Sequence, residues 1–217
     1  MARNKYPEET VNLILDVAGR LFMEKGYERT SIQDIIDNLG GLSKGAIYHH
    51  FKSKEEILDA VTDRIMEESN RRLAGTLKRK DQNGIEKLRT LFKSSLCRSE
   101  QDDIFKVVPG FYNNPRLLVS LLYETVELTA PEYILPIIRE GIADGSIVAE
   151  HPKQLAELIS LVANVWINPM VFDDSEEETY YKFLVFDKML RGMGLDIVDE
   201  EMIARMRELT AIYRKNK

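Results

Sequence analysis

Between Ser31 and Phe51 two short apolar runs at helical spacing are separated by the pair Gly40-Gly41, and this arrangement constrains the fold more than any other feature of the chain. Ser31-Ile32-Gln33-Asp34 reads as a capping box, in which a serine hydroxyl and an acid three residues on satisfy the free amides at a helix start. Ile32, Ile35, Ile36 and Leu39 supply that helix's apolar side, and the glycine pair stops it. Ser43 caps a third, shorter helix that turns Ile47 and Phe51 inward. A second box, Ser53-Lys54-Glu55-Glu56, opens a long helix through Ile57, Val61 and Ile65. Upstream, Val11, Ile14, Leu15, Ala18, Leu21 and Phe22 form the stripe of an amphipathic first helix, which starts near Pro7 and closes at Lys25-Gly26.

Helical signals continue to the end of the chain, and credible strand signals are scarce. Helices are expected near 84–99, 101–112, 115–129, 131–144, 152–170, 175–191 and 199–215, punctuated by Gly84, Asn113-Asn114-Pro115, Pro131, Gly145, Pro152 and Gly192-Met193-Gly194. A third capping box is Ser175-Glu176-Glu177-Glu178. The fold class is therefore all-α: a three-helix helix-turn-helix domain over residues 1–54, joined by a long helix to a larger helical domain over 55–217.

Charge divides along the same line. The whole chain of 217 residues carries −6, but residues 1–54 hold 8 basic and 7 acidic side chains, against 22 and 29 in the rest. From Asn38 to Lys54 there is no acid, while Lys44, Lys52, Lys54 and two histidines are present. Helix, glycine turn and short helix is the layout whose second helix enters a DNA major groove. Lys44 supplies charge, Gly45 allows close backbone approach, and Tyr48 and His49 project away from the side that carries Ile47 and Phe51. The alternative is a small helical subdomain with an ordinary solvated face.

Other chemistries are poorly supported. Gly41-Leu42-Ser43-Lys44-Gly45 matches the G-x-S-x-G of serine hydrolases, but that motif needs a preceding strand and here a helix precedes it. Adjacent His49 and His50 point about 100° apart on a helix and cannot share a metal without distortion. Cys97 is the single cysteine, too few for an internal disulfide or a thiolate zinc site, and its helical setting suits a buried apolar residue. No catalytic residue, metal or cofactor is expected. The longest uncharged run, Leu158–Phe172, is interrupted by Asn164, Asn168 and Pro169 and is shorter than the roughly 18 apolar residues of a membrane span. The first residues offer no apolar stretch of the kind found in signal peptides, so a soluble protein of a reducing compartment is expected.

Thr30-Ser31-Ile32-Gln33-Asp34-Ile35, followed by Leu42 through Leu58 (LSKGAIYHHFKSKEEIL), resembles the DNA-binding domain of TetR-family transcriptional regulators, and Ala18, Leu21-Phe22 and Lys25-Gly26-Tyr27 match the family's first helix. The resemblance covers about 50 residues. Downstream, Glu140-Gly141, Asp144-Gly145 and Ile147 are similar to a weaker family pattern. It implies a bacterial, cytoplasmic regulator, most often a repressor, that binds a palindromic operator as a homodimer and is released when a small-molecule inducer shifts the long helix after Ser53. Thr30, Ser31 and Gln33 would lie at backbone phosphate, Ser43, Lys44, Gly45, Ala46 and His49 would face the groove, and Tyr48 and Lys54 would grip phosphates. In one respect the chain departs from the family: an extra residue, a glycine of the Gly40-Gly41 pair, lengthens the turn, which would tilt the third helix. A TetR-like protein that acts through protein partners without reading DNA is the alternative this departure keeps open.

In the larger domain, Leu155–Val171 is apolar nearly all round and Tyr180–Leu190 almost as much, as expected of helices in a core or at an interface. By resemblance these two segments form a dimer bundle, through Leu158, Leu161, Val162, Val165, Phe183, Phe186 and Met189; a monomer's own core is the alternative. Phe105, Phe111, Tyr112, Tyr123, Trp166 and Met170 are the candidates to line a ligand cavity, although aromatics at helical spacing more often fill a core.

Overall fold

The computed structural model describes residues 7–41, 44–97, 100–107, 110–111 and 115–216, and among them every regular element is a helix. They divide into two compact units. The first comprises residues 1–68 with 106–109, and the second residues 69–105 and 110–217.

In the first unit, α1 (Pro7–Lys25), α2 (Ile32–Asp37), α3 (Lys44–His50) and the start of α4 (Lys54–Leu77) enclose one apolar core. Ile14, Ala18 and Phe22 of α1, Ile35 of α2, Ile47 of α3 and Ile57 and Leu58 of α4 are all completely buried. Their spacings follow the helical periods that define each stripe. This unit continues to Glu68, past the Lys54 boundary drawn from the capping box, and Ile57, Leu58 and Val61 of α4 are buried in it. Phe22 and Tyr27 meet edge to face with centroids 5.4 Å apart, which fixes the chain as it leaves α1 through Gly26 at φ +81°.

The chain leaves α2 through two glycines in unusual backbone conformation. Gly40 and Gly41 both have positive φ, +63° and +105°, and a Cβ on either would meet nothing within 4 Å. Replacing Gly41 with alanine is therefore expected to cost about 1–2 kcal/mol through conformation alone. Gly40→Asn should cost less, because asparagine tolerates the left-handed region. Urea unfolding of the two variants measures this, and a Gly41→Ala loss below a few tenths of a kcal/mol would contradict it.

In the second unit, α5 (Gly84–Leu96) crosses α8 (Leu135–Asp144) where Gly84 lies against Gly141. Gly145 ends α8 in the left-handed conformation, and Asp144 turns back so that its carboxylate accepts the Gly84 amide at 2.8 Å and the Ser146 amide at 2.8 Å. Within the same crossing, the buried Lys87 ammonium lies 2.6 Å from both oxygens of Glu140 and 3.3 Å from the Leu77 carbonyl. Removing the carboxylate with Glu140→Ala strands that cation and should cost about 2–3 kcal/mol, below the 3–5 typical of a fully buried pair because Glu140 is half exposed. Adding Lys87→Met should recover part of the loss. Equal destabilisation by the single and double variants, measured by chemical denaturation, would contradict this account.

α7 (Pro115–Glu124) passes without a break through a π-helical stretch, Thr125–Ile134, into α8. The interruption expected at Pro131 is absent. Proline lacks an amide proton and crowds the carbonyl one turn back, and the wider π geometry absorbs both problems inside a continuous helix. α9 (Pro152–Leu161) runs into a second π segment, Val162–Trp166. The helix expected over 152–170 ends there, and Asn168 caps the one-turn α10 (Pro169–Phe172) through its side chain. α11 (Glu176–Gly192) starts at the Ser175 box and packs on α12 (Glu200–Asn216), which in turn packs on α5. α6 (Glu100–Val107) is tied to α12 by Arg205, which pairs with Asp102 and donates to the Leu96 carbonyl at 3.2 Å. Among the described residues, no helix is long and apolar enough to cross a membrane.

Candidate nucleic-acid interface

α3 is held by its inner side and presents the other. Ile47 is fully buried and Phe51, just past the helix, nearly so, while Lys44, Gly45 and His49 are exposed and Tyr48 is 43% exposed. Ala46 is intermediate. The Lys44 ammonium lies 5.8 Å from the Tyr48 ring centroid, one turn apart on the same face, and the His49 and His50 rings meet edge to face at 5.1 Å. The structure thus brings Lys44, Gly45, Tyr48 and His49 together on one exposed strip. Ser43 lies outside the described residues. Lys52 adds an exposed basic side chain beyond Phe51; its place in the acid-free stretch is the signal that could have singled it out.

The start of α4 is anchored to the loop after α1. The Lys54 ammonium donates to the Tyr27 carbonyl at 3.0 Å and lies 4.1 Å from the centre of the Tyr27 ring. The Tyr27 hydroxyl bonds to the Glu55 carboxylate; burial, then the Glu55 and Glu28 charges, push the phenol above the usual tyrosine range. Ser53 caps α4 by accepting the Glu56 amide at 3.2 Å, while the Glu56 carboxylate accepts the Lys52 amide at 2.7 Å. Lys54 therefore has a structural partner as well as further N–H groups.

The edge formed by the start of α2 differs from expectation. Thr30 is only 1% exposed, and its hydroxyl is engaged by the Gly26 carbonyl at 2.9 Å and the Leu21 carbonyl at 3.3 Å. Its side chain supports the loop and is not presented to a phosphate. Ser31 is exposed, but its hydroxyl accepts the Asp34 amide at 3.1 Å and donates to the Asp34 carboxylate at 2.5 Å. The Ser31 hydroxyl and amide, with Lys25 at 3.0 Å, hold the Asp34 carboxyl well below the usual carboxylate range. Gln33 is exposed and donates to Asp37 at 2.8 Å. The capping box thus leaves a formal negative charge where a phosphate was expected, and Gln33 is the side chain of this edge most open to a ligand.

Residues 14–61 match the family described as bacterial regulatory proteins, tetR family. The chain carries a domain of this family's type over those residues. It is 31% identical over 137 residues to the HTH-type transcriptional repressor KstR2 of Mycolicibacterium smegmatis, covering 61% of this chain and 65% of that protein. Against the KstR2 of Rhodococcus jostii it is 48% identical over 48 residues, 22% of this chain and 23% of the relative. The chain thus spans under two thirds of the length of these relatives. A TetR-family transcriptional regulator of Pectobacterium atrosepticum shares the fold over 99% of this chain and 95% of its own, with a TM-score of 0.61 and 21% identity. The family is one of regulators and not of enzymes, and the G-x-S-x-G match follows a helix, without the strand that a nucleophile elbow requires.

The other expected sites lie in the second unit. Phe105, Phe111 and Met170 are buried and Trp166 is half-buried. Gly110 brings the chain against Tyr213 and Met170: a Cβ there would lie 2.4 Å from the Tyr213 hydroxyl and 3.7 Å from the Met170 carbonyl. Tyr112 lies outside the described residues. Tyr123 does not line an interior cavity, because it is 70% exposed on the outer side of α7. Of the seven candidate dimer residues, Leu158 and Leu161 are exposed and Val162, Val165 and Met189 are half-buried. Phe183 and Phe186 are instead core residues of the unit, 1% and 0% exposed, and Phe186 packs against Phe92 at 5.9 Å. The exposed apolar face of α11 consists of Tyr181, Leu184 and Val185. Cys97 is partly buried, and burial pushes its thiol pKa up, away from the reactive thiolate.

Proposed function

We propose that the chain is a transcriptional repressor that binds a palindromic operator as a homodimer and leaves it when a small molecule enters the second unit. The carrying observation is α3, whose inner residue Ile47 is completely buried while Lys44, Tyr48 and His49 share the exposed side. A lysine in that position suits the O6 and N7 acceptors of guanine, and a tyrosine hydroxyl suits a phosphate oxygen. One short helix reads few base pairs, so useful specificity calls for two copies about one helical turn apart. Gln33, Lys52 and the free N–H groups of Lys54 flank this strip as phosphate contacts. Thr30 is left out because its hydroxyl is buried and already bonded.

For the regulated state, the buried Phe105, Phe111 and Met170 with the half-buried Trp166 supply the apolar surface that a small organic ligand needs. Such a ligand releases DNA only to the extent that it binds the two conformations differently, typically by about 1–3 kcal/mol. The test is selection of bound duplexes from a random pool at moderate salt, followed by affinity measured against salt. A two-fold symmetric sequence is expected to be enriched, with log affinity falling by about 0.9 per phosphate contact for each unit of log salt. An unenriched pool and a salt-independent signal would overturn DNA reading and favour action through protein partners.

A further inference from the structure

We propose that Tyr27 is a positioning residue for DNA binding, whose ring and carbonyl hold the Lys54 ammonium ready for a backbone phosphate at the start of α4. The inference rests on the DNA reading above. Tyr27 lies in the loop between α1 and α2 and is only 8% exposed, so it acts through other groups. Its ring is fixed from three sides. The Phe22 ring meets it edge to face at 5.4 Å, its hydroxyl bonds to the Glu55 carboxylate, and the Lys54 ammonium covers one face, 4.1 Å from the centroid. The same ammonium donates to the Tyr27 carbonyl at 3.0 Å.

A lysine on a solvated surface samples many rotamers, and fixing its ammonium on one phosphate costs that freedom at the moment of binding. For Lys54 the freedom is already given up on folding. It is half-buried, whereas Lys44 and Lys52 of the same acid-free stretch are exposed. An ammonium carries three N–H donors, and the Tyr27 carbonyl takes one, so donors remain for a phosphate oxygen. The ring attracts the cation as a whole through its electron-rich face. Lys54 and Glu55 are adjacent and of opposite charge, yet they do not turn to each other. The ammonium goes to the Tyr27 carbonyl and ring, and the carboxylate to the Tyr27 and Ser53 hydroxyls. Tyr27 thus keeps the two charges apart and leaves the cation to an anion from outside.

Affinity of the full chain for a duplex selected from the random pool, measured against salt, tests this with Tyr27→Leu, Tyr27→Phe, Lys54→Gln and the Tyr27→Leu/Lys54→Gln pair. Each is measured where circular dichroism shows it folded, and Tyr27→Met, which keeps the bulk without a ring, replaces Tyr27→Leu if the latter does not fold. Lys54→Gln is expected to lower affinity about tenfold and to reduce the salt slope by about 0.9 per subunit, one phosphate contact. Tyr27→Leu should lower affinity severalfold by itself and not at all beside Lys54→Gln, because the two residues act as one unit. Tyr27→Phe keeps the ring face and should stay near wild type. Equal losses from Tyr27→Leu with and without Lys54, or no loss in the folded protein, would overturn the inference and leave Tyr27 a core residue only. An unchanged salt slope for Lys54→Gln would overturn it too, making Lys54 a tether while the DNA reading stands on the α3 strip. A wild type that enriches no duplex would overturn the DNA reading and this inference with it.

Discussion

Gly84→Ala is expected to destabilise the second unit by about 3 kcal/mol, the upper end of what one added methyl usually costs in a packed interior. A Cβ at Gly84 would lie 2.2 Å from Gly141 Cα, 2.4 Å from Gly141 N and 2.9 Å from the Ile137 carbonyl oxygen. All three are backbone atoms, so no side chain can rotate away, and α5 must separate from α8. That separation also disturbs the Gly84–Asp144 hydrogen bond and the Lys87–Glu140 pair, which span the same crossing. Gly141→Ala is a milder case, because its Cβ would meet the Ile147 side chain, 2.5 Å from Cδ1, and isoleucine can partly yield. Gly145→Ala meets nothing within 4 Å and should cost only the roughly 1 kcal/mol of a positive φ. Thermal unfolding should rank them Gly84, Gly141, Gly145, with the first lowering Tm by about 10 °C at roughly 2–4 °C per kcal/mol for a chain of this size. A Gly84→Ala protein within 1 kcal/mol of the parent would show that the helices do not pass this closely.

The same crossing shows what a sequence can and cannot reveal. Gly84 is visible as punctuation before a helix, and Glu140-Gly141, Asp144-Gly145 and Ile147 as a pattern, but nothing local says that residues 57 positions apart touch. α3 was legible because glycines and apolar spacing are local signals, and Ile47 inward with Tyr48 and His49 outward follows from helical geometry alone. Phe183 and Phe186 were misplaced for the opposite reason: a helix apolar nearly all round has no sequence signal for which face meets its own core. Tyr123 failed as a cavity residue because aromatic character does not distinguish an inner wall from an outer one. Thr30 failed because its hydroxyl bonds to carbonyls, a tertiary fact, while its sequence position beside Ser31 suggested a free helix start. Pro131 looked like a boundary because sequence rules treat proline as ending an α-helix, and they do not anticipate a π stretch.

Lys44→Ala combined with Tyr48→Ala is expected to lower duplex affinity by about two to three orders of magnitude while leaving the fold and the oligomeric state unchanged. A good base contact discriminates by about 1–3 kcal/mol, and a dimer loses it in both half-sites. The fold should survive because neither side chain contributes to the core, which α3 enters through the fully buried Ile47. The two effects should not simply add, since the Lys44 ammonium lies over the Tyr48 ring and each helps to place the other. The single variants separate the roles. Lys44→Ala should relax selection at one base position in each half-site, whereas Tyr48→Phe, which removes an uncharged contact, should weaken all duplexes alike and leave the salt dependence unchanged. Thr30→Val is the control from the same domain: removing a buried, doubly bonded hydroxyl should lower stability by about 1–3 kcal/mol yet leave the folded protein's affinity close to wild type. If Thr30→Val weakened binding without loss of stability while the α3 pair did not, the nucleic-acid face would have to be moved from α3 to the start of α2.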